Sequence, residues 1–185
     1  SLKRLRVRCF EQKREYKSIT TNLGVTHKTQ VLPGGVELQK KQVTLKGKWK
    51  ATLTRGSMTV CEQEGYNVIC TTGLQTLAGY LASAAISATR NPFYFIAIGS
   101  DNTSEANTDT ALGTELSRHT GTVTAFTAVY QVTATFASGS GTGNVYEYGL
   151  FDANTGGNML SRDTEGLITK GANDVLTVVA QYTLS

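Results

Sequence analysis

Several features that mark enzymes, metal sites and membrane spans are scarce or missing in this chain of 185 residues. Its two histidines lie far from its three cysteines, and the cysteines have no C-x-x-C spacing, so a zinc site or a cysteine nucleophile is poorly supported. No apolar run reaches the roughly eighteen residues of a membrane span. The opening residues S-L-K-R-L-R-V-R lack the apolar stretch of a secretory signal, so we expect assembly inside a cell.

The three cysteines, Cys9, Cys61 and Cys70, are odd in number. We interpret them as buried free thiols, because an unpaired cysteine behaves as a small apolar residue. A disulfide between Cys61 and Cys70 would require an oxidising environment, and nothing in the sequence indicates one.

No acidic residue belongs to a recognisable catalytic motif. Glu147 and Arg162, and likewise Glu115 and Arg118, are acid–base candidates only when taken out of context, since no second carboxylate, nucleophile elbow, phosphate loop or histidine motif accompanies them. Ser161 beside Arg162 has no histidine motif to activate it. The sequence therefore predicts a protein without enzymatic activity and without a cofactor.

Oxygen-bearing side chains are concentrated between residues 100 and 114, where Asp101, Glu105 and Asp109 occur. Several carboxylates close together suggest calcium. The spacing lacks the central glycine and the terminal glutamate of an EF-hand, so we interpret the segment as a solvated loop and predict no metal site.

The composition is typical of an all-β protein. Nineteen glycines, only two prolines and 17% charged residues, together with many threonines, suit strands joined by tight turns. We expect an antiparallel β-sandwich or jelly-roll-like domain over residues 57–185, preceded by a basic N-terminal β arm or small lobe over residues 1–56.

One short helix is predicted over about residues 72–85, where apolar residues recur at i, i+3, i+4 and i+7. These residues are Leu74, Leu77, Ala78 and Leu81. After Pro92 comes the run from Phe93 to Ile98, which is too apolar for a half-exposed strand and too short for a second helix. We expect a strand that is buried on both faces.

Charge is divided unevenly along the chain. Residues 1–50 contain thirteen Lys and Arg and three acids, a net charge of +10, whereas residues 51–185 contain five Lys and Arg and eleven acids, a net charge of −6. Like charge at this density either faces an acidic surface or stays solvated. The two ends of the chain are therefore expected to face different surroundings.

The first residues alternate between apolar and basic side chains, with Arg4, Arg6 and Arg8 on one side of a predicted strand. This strand either belongs to the domain's own sheet with a solvated basic face, or is an arm that pairs with a neighbouring subunit's sheet edge while its arginines meet carboxylates. The polar segment from Glu11 to Thr29 is interpreted as a loop.

A second amphipathic pattern lies between Gln39 and Leu53. Lys46, Lys48 and Lys50 fall on one face, and the opposite face contains Trp49, which anchors either a small core or an interface. We predict that Trp49 and the three lysines belong to a partner-binding surface. Lysines also suit phosphates, but no RNP-like aromatic pair, helix-turn-helix or zinc finger is present, so direct nucleic-acid binding is disfavoured.

Five elements in fixed order resemble a family of small β-rich structural proteins of tailed-phage virions. They are N-x-I-x-x-x-G-L-x-x-L-A (67–78), a Pro-aromatic strand ending I-A-I-G (92–99), D-T-A-L-G-T-E-L-x-R (109–118), E-Y-G-L-F-x-A-x-x-G-G-x-M-L-S-R (147–162) and G-A-N-D-V-L-T-V-V-A-Q-Y-T-L (171–184). The resemblance covers roughly residues 60 to 185, and the order and spacing of the elements make it specific.

This resemblance implies a virion component without catalysis, assembled in the host cytoplasm. The first choice is a capsid decoration or cement protein that binds the major capsid protein, as a small symmetric homo-oligomer. The alternative is a tail, neck, baseplate or fibre component that binds another tail protein or a host receptor. In such a protein Glu147 and Arg162 form a structural charge pair across strands.

Overall fold

A computed structural model describes residues 15–20, 26–31, 37–38, 43–82 and 92–185. The chain divides into two units, residues 1–42 and residues 43–185. In the first unit, β1 (Glu15–Thr20), β2 (Thr26–Val31) and β3 (Glu37–Leu38) form an antiparallel sheet in that order. The predicted loop over residues 11–29 was wrong here, because threonine, tyrosine and β-branched residues favour extended backbone. The predicted strand around residues 4–9 lies outside the described residues.

The second unit is a sandwich of two five-stranded antiparallel sheets. Sheet I has the order β5 (Met58–Tyr66), β4 (Leu45–Arg55), β13 (Asp174–Leu184), β10 (Val129–Phe136), β9 (Thr122–Phe126). Sheet II has the order β6 (Val68–Ile69), β12 (Met159–Lys170), β11 (Gly143–Phe151), β7 (Phe95–Gly99), β8 (Glu115–Thr120). These sheets confirm the predicted all-β antiparallel sandwich, and the described residues contain one short helix.

The core lies between the two sheets and follows from strict alternation along the strands. In β13 every second side chain is buried, from Leu176 through Tyr182, because alternate residues of a strand face the same side. Across the sandwich, the rings of Trp49 in β4 and Tyr148 in β11 stack with their centroids 5.9 Å apart. Asn67 connects the sheets as well, because its amide oxygen accepts hydrogen bonds from Trp49 Nε1 and from Ser161 Oγ, both at 2.9 Å.

The structure corrects two predictions about the β4 region. The boundary lies between residues 42 and 43 and not near residue 56, because β4 pairs with β13 from Leu45 to Arg55. Trp49 is 2% exposed, so it anchors the core and does not belong to a partner-binding surface. The amphipathic pattern assigned its face correctly but did not show what covers that face.

The helix α1 spans Thr71–Ala82, close to the predicted start, and residues 83–91 lie outside the described residues. It packs on β12, and a Cβ at Gly73 would lie 2.5 Å from the Leu160 Cα. Only glycine allows this close approach. The described residues include no helix with the length and apolar character to cross a membrane.

Strand β7 is buried on both faces, as the apolar run from Phe93 to Ile98 predicted. Ile96 and Ile98 face the main core, whereas Ala97 belongs to a second apolar cluster on the other side of sheet II. That cluster comprises Cys70, Ala97, Leu112, Phe151 and Met159. Because part of it comes from the segment between β7 and β8, this connection covers the outer face of sheet II.

Replacing Trp49 with alanine is expected to lower the free energy of unfolding by about 3–5 kcal/mol, because a large aromatic side chain is removed from a packed core. The control is Lys48→Ala, one residue away on the exposed face of the same strand, which we expect to change stability by less than about 0.5 kcal/mol. Urea unfolding followed by circular dichroism measures both. Equal stability of the two variants would contradict the burial of Trp49.

Candidate functional site

The outer face of sheet I carries the lysines from which a partner-binding surface was predicted. Lys46, Lys48 and Lys50 project from β4 on the side opposite to the core, alternating with the buried Gly47 and Trp49. Arg4, Arg6 and Arg8 belong to the same prediction, but they lie outside the described residues. The structure therefore places only the lysine part of the predicted surface.

The three lysines differ in their electrostatic surroundings. Lys50 Nζ lies 3.4 Å from Glu62 and 3.5 Å from Glu64 on the adjacent strand β5, and Glu62 is the main cause of the raised pKa of Lys50. Lys46 and Lys48 form no ion pair with any residue that the structure describes. They are therefore the lysines available to an external carboxylate.

A groove of about 260 Å³ lies on this face beside Lys48 and Lys50. Its other polar lining residues are Glu64, Gln131 and Gln181, from β5, β10 and β13. Such a lining offers amide and ammonium donors, and its one carboxylate, Glu64, already forms an ion pair with Lys50. It is suited to hydrogen bonds with another protein's polar surface.

Glu147 and Arg162, expected to form a charge pair, lie at the centre of the largest ionic cluster in the described residues. The Arg162 side chain is 4% exposed, and one of its terminal nitrogens lies 2.9 Å from Glu147 Oε2. Asp109 and Asp101, at 2.9 and 3.2 Å, complete its surroundings. One guanidinium thus binds three carboxylates, a geometry that suits its planar array of donors.

Glu147 fixes the connection between β7 and β8 by accepting hydrogen bonds from its backbone. The N–H groups of Asp101, Gly113 and Thr114 donate to its carboxylate at 3.2, 3.0 and 2.9 Å. Because these residues lie near both ends of the connection, one buried carboxylate holds both ends. Glu147 is completely buried, so the arrangement is structural and offers no access to a substrate.

In the acidic segment considered for calcium, the carboxylates are used within the fold, and two of the three bind Arg162. Asp101 and Asp109 bind Arg162, and Glu105 accepts a hydrogen bond from the Thr164 hydroxyl. Among the described residues, no group of three or more His, Cys, Asp or Glu is positioned to hold a metal ion. The cation that these aspartates bind is the Arg162 guanidinium.

The second sequence pair, Glu115 and Arg118, forms a 2.6 Å ion pair within β8. The Arg118 guanidinium lies 3.6 Å above the Phe151 ring and donates to the carbonyl oxygens of Ala153 and Gly156 at 2.8 Å. It therefore connects β8 to the turn between β11 and β12.

Cys61 and Cys70 are free thiols, so no disulfide joins them.

A serine–histidine contact was not anticipated from the sequence. His119 Nε2 lies 2.8 Å from Ser140 Oγ, which in turn lies 3.2 Å from Ser117 Oγ. No described carboxylate is hydrogen-bonded to His119, so the orienting group of a catalytic triad is missing from this part of the chain. The contact holds the turn between β10 and β11 against β8. No local sequence signal connects residues twenty-one positions apart.

A pocket of about 290 Å³ opens beside α1. Its described lining consists of apolar and aromatic residues, namely Leu45, Leu77, Tyr80, Pro92, Phe93, Tyr130, Leu160, Tyr182 and Leu184. It contains no carboxylate, histidine or cysteine that would carry out acid–base or nucleophilic chemistry.

A buried aspartate with two half-buried glutamates near it, between β5 and β12, is a further feature that sequence patterns did not reveal. Asp163 is 1% exposed, and its Oδ2 has no hydrogen-bond partner. A Cβ at Gly65 would lie 3.0 Å from this oxygen and 1.8 Å from Glu165 Oε1, so the two oxygens are at most 4.8 Å apart. Burial, with Glu165 and Glu105 nearby, raises the pKa of Asp163 to about 7.

Comparisons of this chain with protein families, with characterised proteins and with solved structures found no match. The resemblance to phage virion proteins therefore rests on the five sequence elements.

Replacing Arg162 with methionine is expected to lower the free energy of unfolding by about 3–5 kcal/mol, because Glu147 would remain buried without its cation. The matched control is Lys50→Met, which removes an exposed lysine from two carboxylates and should cost less than about 1 kcal/mol. Chemical unfolding at neutral pH measures both. Similar losses in the two variants would show that Arg162 is not a buried structural cation.

The free energy of unfolding is expected to fall as the pH rises from about 4 to 7, because Asp163 is protonated in the fold over this range and ionised in the unfolded chain. Its pKa is about 7 in the fold and about 3.9 in the unfolded chain, so the folded state binds the extra proton within that window and loses this stabilisation above it. Asp163→Asn should flatten this part of the profile and be more stable than the parent at pH 8, measured by thermal unfolding.

Asp174→Asn provides the control of opposite sign. A hydrogen bond from Arg55 lowers the pKa of Asp174 to about 2, so its ionised form stabilises the fold at neutral pH, and this variant should be less stable there than the parent. If the stability of the Asp163→Asn protein falls between pH 4 and 7 as steeply as that of the parent, Asp163 is not the group that causes the fall.

Proposed function

We propose that this chain is a non-enzymatic structural protein of a tailed-phage virion, a capsid decoration protein that binds the shell and stabilises it. The observation that supports this most strongly is the division of charge between the two units. Residues 1–42 contain ten Lys and Arg and three acids, whereas residues 43–185 contain eight Lys and Arg and eleven acids. A basic segment attached to an acidic β-sandwich suits attachment to an anionic protein surface.

The described part of the chain supports this proposal through the use of its ionic groups. The buried Arg162 and Glu147 hold a surface connection in place, and the Ser140–His119 contact holds a turn. By contrast, Lys46 and Lys48 lie on an exposed, polar sheet face without a described ionic partner. Charge that the fold itself does not use is available for a partner.

The mechanism follows from linkage. A protein that binds only the assembled shell lowers the free energy of that state by mass action and leaves unassembled subunits unaffected. Because exposed charges provide the attraction, binding should weaken as the salt concentration rises. No chemical reaction is part of this function.

Replacing Lys46 and Lys48 together with glutamine is expected to lower occupancy on purified particles, because the two lysines face external carboxylates. The matched control is Gln75→Glu with Asn154→Asp, which makes the same change in net charge at exposed positions elsewhere. Quantitative gel analysis of particles reconstituted at two salt concentrations measures occupancy. Charge reversal at Arg4, Arg6 and Arg8 in the same assay tests the N-terminal part of the surface.

Full occupancy of both variant sets would refute this attachment mode. The copy number in the virion separates the alternatives: a number comparable with that of the major capsid protein supports decoration, whereas a few copies per particle support a tail, neck, baseplate or fibre component. Salt-sensitive binding to DNA without binding to particles would support a nucleic-acid-binding protein.

A further inference from the structure

Strand β9 is an edge of sheet I without the protection that edges usually carry. It is the last strand in the sheet, and β10 is its neighbour. All five residues, Thr122–Phe126, are exposed, including Val123 at 44% and Phe126 at 51%. Proteins commonly protect such edges with lysine, proline, a bulge or a covering segment, because an unpaired row of N–H and C=O groups readily pairs with another chain.

Lysine, proline and a bulge are missing from β9, and none of the described segments covers it. Its pairing with β10 is regular from Thr122 to Phe126 without a bulge. Residues 120–146 contain no Asp, Glu, Lys, Arg or Pro. The other long edge of sheet I, β5, differs, because it carries Glu62 and Glu64.

The side chains of β9 also suit pairing with an identical strand. In a two-fold interface each residue lies close to its own copy or to a near neighbour, so charged residues of one sign would repel each other. β9 has none. Two β5 strands would instead bring together the carboxylates of Glu62 and Glu64.

Val123 gives the pairing an apolar contribution. It lies directly opposite Val132 in β10, on the same face of the sheet, and Val132 is completely buried in the core. Val123 therefore lies at the rim of the core and is partly exposed because no further described strand covers it. A strand added beside β9 would cover this rim.

We propose that β9 pairs antiparallel with β9 of a second copy of this chain, which joins two copies of sheet I into one continuous ten-stranded sheet. With the two-fold axis at Thr124, the two copies of Thr124 face each other, and Thr122 of each copy faces Phe126 of the other. Backbone hydrogen bonds supply most of the affinity, as in other strand-addition interfaces. This inference concerns self-association and does not depend on the virion proposal.

The test is the mass of the full-length chain in solution. Sedimentation velocity over a concentration series should show the parent as a dimer. Thr124→Lys should sediment as a monomer, because two lysines would then meet on the axis. Thr59→Lys, which places the same charge on the opposite edge strand, should remain dimeric. Circular dichroism confirms that each variant is folded.

A mixture of Thr124→Lys and Thr124→Glu provides the decisive result. Opposite charges on the axis should restore a dimer that neither variant forms alone, which a merely structural defect would not do. The proposal is overturned if the parent is monomeric throughout the series, if Thr124→Lys remains dimeric, or if the folded mixture fails to associate.

Discussion

The second unit depends on the buried ion pair between Arg162 and Glu147. Glu147 lies on the outer side of sheet II and is completely buried. A buried carboxylate without partners would be costly, and Glu147 is stabilised by one guanidinium and three backbone N–H groups. The same guanidinium binds Asp101 and Asp109 of the adjacent connection. This connection then buries Leu112 with Phe151 and Met159. One charged contact thus organises an apolar layer that two sheets alone would leave open to water.

A second polar contact holds the sheets in register with each other. Asn67 bridges Trp49 in sheet I and Ser161 in sheet II, and the Ser161 hydroxyl also contacts Tyr182 of β13 at 2.5 Å. Buried polar groups are costly unless they are satisfied, so these partners favour one relative placement of the sheets over other apolar packings. Gly47 makes room for the asparagine, since a Cβ there would lie 2.0 Å from the Asn67 amide.

Local patterns in the sequence predicted the fold class, strand β7 and the two faces of β4, because alternation and apolar runs report directly on burial. The pairing of Glu147 with Arg162 was expected from the resemblance to phage virion proteins and not from these patterns. Local patterns do not report contacts between segments that are distant in the sequence. The pairing of β4 with β13 places β4 in the second unit, so the boundary near residue 56 was wrong. Asp101 and Asp109 likewise contact Arg162 across 61 and 53 residues. An amphipathic pattern likewise cannot distinguish an internal core from an external interface, and Trp49 proved to be in the core.

The strand order of sheet I has a consequence for how the chain acquires its fold. β13 lies at the centre of the sheet, between β4 and β10, yet it follows β4 by more than a hundred residues. The hairpin of β4 and β5 leaves the ribosome long before the strand that covers its inner edge. The inner edge of β4 therefore lacks its partner until residues 174–184 are synthesised, and the slow closure of such a long loop extends this interval. During that interval the edge is an unpaired strand of the kind that mispairs with other chains and that chaperones protect.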